Sequence, residues 1–257
     1  MLNAERLDNI EILTINRPQA GNSISSDLTT EFLYNLERLH KEKNLHALII
    51  TGIGEKFFCT GGDIKEYRGI KDTKLLNHHF NRTRQALDMI ESLQFPVISA
   101  INGYALGGGA ELILCTDYRI AETNAEIGWP QSQLGIIPAW NGIDRLVRDC
   151  GVRIASNLLM TGKRITAKEA QELQIIDMVV EDQKSVETAI SYAKELKKSA
   201  PKALKATKQI IASVAKDSWQ TARQKQHSLF PDLWFSEDHK EAELAFAEKR
   251  QPKFKGE

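Results

Sequence analysis

Several things are scarce in this chain of 257 residues, and each scarcity removes a class of protein. Cysteine occurs three times, at Cys59, Cys115 and Cys150, far apart and without the spacing of a metal site. That odd, scattered set argues against a disulfide framework and for free thiols in a reducing compartment. Net charge is missing as well: Lys plus Arg and Asp plus Glu both number 34. Such a balance gives no global field for nucleic acid or an acidic membrane. No apolar run approaches the length of a membrane span. Residues 1–6 lack the basic start and apolar stretch of a secretory signal. There is no internal repeat and no low-complexity linker. A globular protein is expected, located in the cytoplasm, with no metal site, no nucleic-acid partner and no membrane partner.

The patterns that are present read as an α/β chain. Residues 10–16 partly alternate and predict a strand stopped by Arg17-Pro18. Ser25 or Ser26 can cap a following helix, in which Leu28, Phe32, Leu36 and Leu39 recur at helical spacing to about Lys43. Residues 47–52 form a buried type of strand and residues 56–59 a second short one. A helix is expected over 75–93, ended by Pro96. Residues 118–121 and 126–130 read as strands, 135–142 as loop and 143–150 as a short helix. From Val152 helices dominate, with a strand at 175–180. The composition shift near Ser199-Ala200-Pro201 divides an α/β core, residues 1–198, from a helical region, residues 199–257.

Two glycine-rich turns each follow a strand directly: Thr60-Gly61-Gly62-Asp63 and Gly107-Gly108-Gly109. A strand that turns through side-chain-free backbone into a helix leaves unpaired N–H groups that a negative oxygen can approach closely. Two such sites on neighbouring parallel strands can aim one donor each at a single carbonyl oxygen, as enolate or tetrahedral chemistry requires. Tight turns with close packing are the competing explanation. Glu111 sits on an otherwise apolar helix start (Ala110, Leu112, Ile113, Leu114), where burying a carboxylate is costly without purpose. Simple complementation of the helix dipole is its alternative. For Asp63, capping of the next turn is the favoured role.

The segments Phe57-Phe58-Cys59-Thr60-Gly61-Gly62-Asp63-Ile64-Lys65-Glu66 and Asn102-Gly103-Tyr104-Ala105-Leu106-Gly107-Gly108-Gly109-Ala110-Glu111-Leu112 resemble the two signature stretches of the enoyl-CoA hydratase/isomerase (crotonase) superfamily. The resemblance runs from Asn16-Arg17-Pro18 through Leu134-Gly135-Ile136-Ile137-Pro138 and residues 159–165 to Phe246 and residues 247–254. It implies a crotonase-like spiral of ββα units with a C-terminal helical trimerisation region, assembled as a homotrimer or as a hexamer, a dimer of trimers. It further implies that the N–H groups of Gly62 and Gly108 bind the carbonyl of an acyl-CoA thioester. Coenzyme A would belong to the substrate, with no separate cofactor. Lys56 and the Asp63–Glu66 region, Ile64 included, would border its nucleotide part. Tyr104, Leu106, Pro130 and Trp140 would line the substrate site, and Phe246 and Lys249 would reach a neighbouring subunit's CoA, a solvated helix end being the competing explanation for Lys249.

The same resemblance exposes two departures. Hydratases of this family place two glutamates around one water; the first matches Glu111, and the position of the second is Gln131. Glutamine can orient water but cannot exchange a proton at working pH. Trp140 stands where typical hydratases are small and glycine-rich; it either narrows the acyl pocket or points into the core. The leading expectation is therefore an acyl-CoA hydratase or isomerase with Glu111 as proton carrier. A decarboxylase of a malonyl-type thioester is the second expectation, because the enolate left by CO₂ needs no second glutamate. A non-catalytic or RNA-binding member is the third.

Overall fold

The computed structural model describes residues 1–42, 45–70, 72–217 and 219–256. Two sheets form its centre. The larger has six strands: β1 (Leu2–Leu7), β2 (Ile10–Ile15), β3 (Ala47–Gly52), β5 (Val97–Ile101), β7 (Tyr118–Glu122) and β10 (Met178–Val180), in that spatial order. The smaller has four: β4 (Phe57–Cys59), β6 (Tyr104–Leu106), β8 (Glu126–Gly128) and β9 (Arg164–Thr166). Three successive strand pairs, β3 to β4, β5 to β6 and β7 to β8, step from the first sheet to the second. All three steps are parallel to one another in both sheets. Each step is followed by helix: α2 (Ile64–Tyr67) and α3 (Thr73–Ser92) after the first, α4 (Gly108–Ile113) after the second, α5 (Gly142–Thr161) after the third. This is the ββα spiral.

The central strands β3 and β5 are buried on both faces, which is why they read as near-continuous apolar runs rather than alternating ones, while the buried β7 carries Arg119 and Glu122. β3 is buried at all six positions. Its side chains nevertheless divide with period two: Leu48 and Ile50 join the core under the helices, while Ala47 and Ile49 join a second cluster. That second cluster is closed by Ala189 and Ala193 of α7 (Ser185–Leu196). Helix α1 (Ser26–His40) buries Leu28, Phe32, Leu36 and Leu39, and Ser25 is its cap, accepting from Leu28 N at 3.2 Å. The Lys43 end expected for this helix lies outside the described residues. The short helix expected over 143–150 does end there, but Gly151 (φ 78°, ψ 163°) only interrupts it before α5 runs on to Thr161.

After α6 (Ala167–Glu172) and β10, the chain becomes wholly helical: α7, α8 (Pro201–Lys216), α9 (Trp219–Trp234) and α10 (Glu237–Ala247). No described helix is long and apolar enough to cross a membrane. All three cysteines are free thiols. β1 was not expected from the sequence. It is an edge strand whose burial pattern is almost wholly exposed, so it carries no apolar signature.

Candidate active site

The two glycine turns end the neighbouring parallel strands β4 and β6, which pair through Phe57 with Tyr104 and Cys59 with Ala105. They also touch: a Cβ built on Gly61 would lie 2.8 Å from Gly108 N. At the first turn, Ile24 N donates to Gly61 O (2.8 Å) and Asp63 N donates to Ile24 O (3.0 Å). That parallel bridge uses the groups on either side of Gly62 and leaves the Gly62 N–H turned the other way. At the second turn, Gly108 is the first residue of α4, where an N–H has no partner within the helix.

Close packing explains the glycines further. A Cβ on Gly109 would stand 1.9 Å from the Cys59 carbonyl oxygen, so the first turn of α4 rests directly on the end of β4. At Gly62 a Cβ would meet the Tyr67 ring at 2.4 Å, and at Gly108 the Trp140 ring at 2.1 Å. Each glycine whose N–H is of interest is thus covered on its α-carbon side by an aromatic ring. Trp140 is 2 % exposed and belongs to the main core while lying against Gly108.

Glu111 follows one turn into α4 and is 2 % exposed. Its Oε2 accepts from the backbone N–H of Trp140 (2.8 Å) and of Gly142 (2.9 Å), both in the loop before α5. Its Oε1 accepts from Gln131 Nε2 at 3.2 Å. Burial pushes the carboxyl up to about 7, against the opposing pull of those N–H groups and the Arg145 charge. Gln131, in the 3₁₀ turn Pro130–Leu134, is itself buried, and its Oε1 has no partner. An amide donating to Glu111 and an idle acceptor beside it can seat one water or hydroxyl.

Helix α2 is tied down at every polar residue it has near the site. Asp63 caps it, accepting from Lys65 N at 3.1 Å, and pairs with Arg17 Nη2 at 2.8 Å. The Arg17 hydrogen bond holds the Asp63 carboxyl below the usual range. Glu66 accepts from Ser26 N at 3.0 Å and from the Ser26 hydroxyl, which also lies 2.6 Å from His79 Nδ1. Tyr67 packs on Phe80 with ring centroids 5.3 Å apart, and burial raises its phenol to about 12. Asp63 and Glu66 therefore spend their side chains on holding α2, and Tyr67 is what α2 presents to Gly62.

Among the other expected site residues, Tyr104 stands edge-on to Phe57 and beneath the Arg164 guanidinium, and Leu106 is buried at the end of β6. Pro130 opens the 3₁₀ turn that carries Gln131. Lys56 and Ile64 are exposed at the rim, with Lys56 Nζ 5.2 Å from the Phe57 ring centroid. Phe246, 88 % exposed, and Lys249 lie at the end of α10, in the C-terminal helices. Burial pushes the Cys59 and Cys115 thiols up to about 12, which removes them as nucleophiles near neutral pH. Among the described residues no group of three or more His, Cys, Asp or Glu could hold a metal ion.

Tyr67, Arg17, Arg145 and the 139–142 loop were not singled out by sequence reasoning for what they do here. Arg145 alone left a sequence trace: an arginine among Ile143, Leu146 and Val147 on an amphipathic helix.

The comparisons with known proteins agree with this geometry. The family described as enoyl-CoA hydratase/isomerase matches residues 5–257. The short-chain-enoyl-CoA hydratase of Clostridium acetobutylicum is 37 % identical, covering 96 % of this chain and 94 % of that protein. The 2,3-dehydroadipyl-CoA hydratase of Escherichia coli is 34 % identical, covering 98 % and 97 %. Among solved structures, an enoyl-CoA hydratase from Bacillus anthracis superposes with a TM-score of 0.96 at 36 % identity, covering 100 % of this chain and 99 % of that one. By sequence along its whole length and by its crotonase fold, this chain belongs to the enoyl-CoA hydratase/isomerase family of lyases and isomerases.

Proposed function

We propose that the protein adds water to, or moves the double bond of, an enoyl-CoA thioester, with Glu111 as its one proton-transfer residue. The observation that carries this reading is the buried Glu111 carboxyl, raised to about 7 and faced by the Gln131 amide instead of a second acid. The thioester oxygen sits between the N–H groups of Gly62 and Gly108, which stabilise the negative charge that develops there. Ionised Glu111 takes a proton from the bound water as its oxygen bonds to C3 of the enoyl group. The second water proton is held by Gln131 Oε1. Electrons move onto the thioester oxygen, giving an enolate, and protonated Glu111 then delivers its proton to C2. The product carries OH on C3 and H on C2, and Glu111 is ionised again. Isomerisation uses the same carboxylate to lift a proton from one carbon and return it to another. A carboxyl titrating near 7 is matched to both halves of such a cycle.

The test is hydration of crotonyl-CoA followed by loss of its conjugated-enoyl absorbance, with mass detection of products for a small panel of acyl-CoAs. Absence of both hydration and double-bond migration across the panel would overturn the reading. A second reading, decarboxylation of a methylmalonyl- or ethylmalonyl-type thioester, is favoured by Gln131 itself, because that reaction needs one proton delivered to an enolate and no activated water. Release of CO₂ from either thioester separates the two.

The C-terminal helices are proposed to join copies into a homotrimer or a dimer of trimers. Support comes from the apolar side chains they leave exposed, among them Ile211, Phe230, Phe235 and Phe246. A monomeric mass by light scattering would exclude both assemblies.

A further inference from the structure

Arg145 is the most deeply buried arginine near the site, 2 % exposed, and its hydrogen bonds go to Trp140, Asn141, Asp88 and Glu91 rather than to Glu111. Its Nη1 donates to Trp140 O at 2.8 Å and to Asn141 O at 3.3 Å. Its Nη2 reaches Asp88 at 2.6 Å and Glu91 at 3.2 Å, both on α3. The loop it grips is the one whose N–H groups hold Glu111. The peptide unit between Asn141 and Gly142 is bonded at both ends: its C=O accepts from Arg145, and its N–H donates 2.9 Å to Glu111 Oε2. The Ala139–Trp140 unit is bonded at both ends as well, but by another cation: its C=O accepts from Arg84 Nε at 2.6 Å and its N–H donates 2.8 Å to Glu111 Oε2, while Arg145 Nη1 binds the next carbonyl, Trp140 O, at 2.8 Å. A guanidinium on one side of a peptide and a carboxylate on the other polarise it in the same sense, so each bond strengthens the other.

The loop turns at Asn141, which adopts a left-handed conformation (φ 64°, ψ 31°) that asparagine accepts more readily than other non-glycine residues. The fork of Arg145 behind it and the Arg84 Nε bond to Ala139 O (2.6 Å) are the restraints the structure supplies. The guanidinium suits the role, because its planar fork can grip two carbonyls and two carboxylates at once and stays charged.

We propose that Arg145 is a positioning residue for proton transfer, acting on Glu111 through the Trp140–Gly142 backbone that it binds from behind. The proposal rests on the reading of Glu111 as the proton carrier. It adds that a cation Glu111 never contacts helps to strengthen the acid against the effect of burial. Among the described residues, the other charged or titratable groups around Glu111 are Cys115, just past the end of α4, whose Sγ donates to Glu111 O at 3.4 Å, and Asp88 and Glu91 behind Arg145 on α3. The 3₁₀ turn contributes only neutral Gln131. Loss of Arg145 therefore removes a stabiliser of the carboxylate and leaves the like-charged α3 pair facing the loop, so the acid must weaken.

The experiment is a direct titration of Glu111 in the ligand-free protein. The carboxyl C=O stretch is isolated by infrared difference between the wild type and Glu111→Gln across pH 5 to 9. In Arg145→Gln the midpoint is expected to rise by about one pH unit, a tenfold change in proton affinity. Turnover of crotonyl-CoA should fall about tenfold or more, with KM changed less than about threefold. Arg145→Lys keeps a cation for Asp88 and Glu91 but loses the fork, and should shift the midpoint by roughly half as much. It carries the test if the glutamine variant does not fold. An unchanged midpoint in either folded variant would overturn the proposal, as would a loss confined to KM. Glu111→Gln with full crotonyl-CoA turnover would instead overturn the proposed reaction and leave the titration of Glu111 informative about Arg145.

Discussion

Gln131 Nε2 donates to Glu111 Oε1 across 3.2 Å, so the buried acid of this site has an amide as its neighbour and not a second acid. The pairing favours the ionised form of Glu111. An amide N–H and two backbone N–H groups all need an acceptor, and an ionised carboxylate satisfies all three. Burial opposes that ionisation, and the balance falls near 7.

Glu111→Gln should remove the proposed proton carrier while keeping the shape of the site. Hydration of crotonyl-CoA is expected to fall by about three orders of magnitude or more. Thioester binding, measured by calorimetry, should stay within a few-fold, because the N–H groups of Gly62 and Gly108 are untouched.

Activity should depend on pH with one limb set by this residue. Hydration begins with Glu111 ionised, so kcat/KM is expected to rise as pH increases through about 7 and then level off. A profile flat from pH 5.5 to 8.5 would mean that Glu111 does not act as the base.

Stability should run the other way. The folded-state value of about 7 lies above the ordinary 4.5, so the folded protein binds this proton more tightly than the unfolded chain does. Stability is then fullest below about 4.5 and declines as pH rises toward 7, by roughly 3 kcal/mol from this group. Glu111→Gln removes that dependence. Denaturant titrations should show the variant gaining on the wild type between pH 5 and 8, and equal differences at both ends would contradict the assignment.

Gln131→Glu would set two carboxyls about 3 Å apart, where they share a proton and titrate as a pair. Crotonyl-CoA hydration is expected to increase, since the second group can now exchange a proton with the water that Gln131 only orients. No change in rate would place Gln131 away from the reacting carbon.

Two glycines should respond differently to the same methyl group. Gly109→Ala forces a Cβ to 1.9 Å from the Cys59 carbonyl and must pry α4 from β4, costing about 3 kcal/mol or abolishing folding. Gly135→Ala meets nothing within 4 Å but sits at φ +73°, so it should cost only about 1 kcal/mol of backbone strain. Urea unfolding of the pair separates crowding from conformation.

Much of the spiral was legible from the chain. β3 and β5 are buried at every position, and their near-continuous apolar runs announce it. Helix α1 shows its buried stripe at Leu28, Phe32, Leu36 and Leu39, and its cap at Ser25. β1 was illegible because an exposed edge strand needs no apolar pattern. Helix α2 was missed because its four residues are held by long-range partners, Arg17 and Ser26, rather than by any local periodicity.

At the site, the sequence alone determined the glycine turns and the acid that follows one of them, while the glutamine in place of a second acid is read from the family resemblance. The turns and the acid are local: a strand, a turn and the first residues of a helix lie within a few positions of one another. Only the tertiary structure decided what Glu111 is bonded to. Its partners come from Gln131, 20 residues on, and from backbone N–H groups 29 and 31 residues on. Every residue except proline carries such an N–H, so no side-chain pattern can mark it. Folding selects the two that matter by bringing the 139–142 loop over α4, with Arg145 behind it.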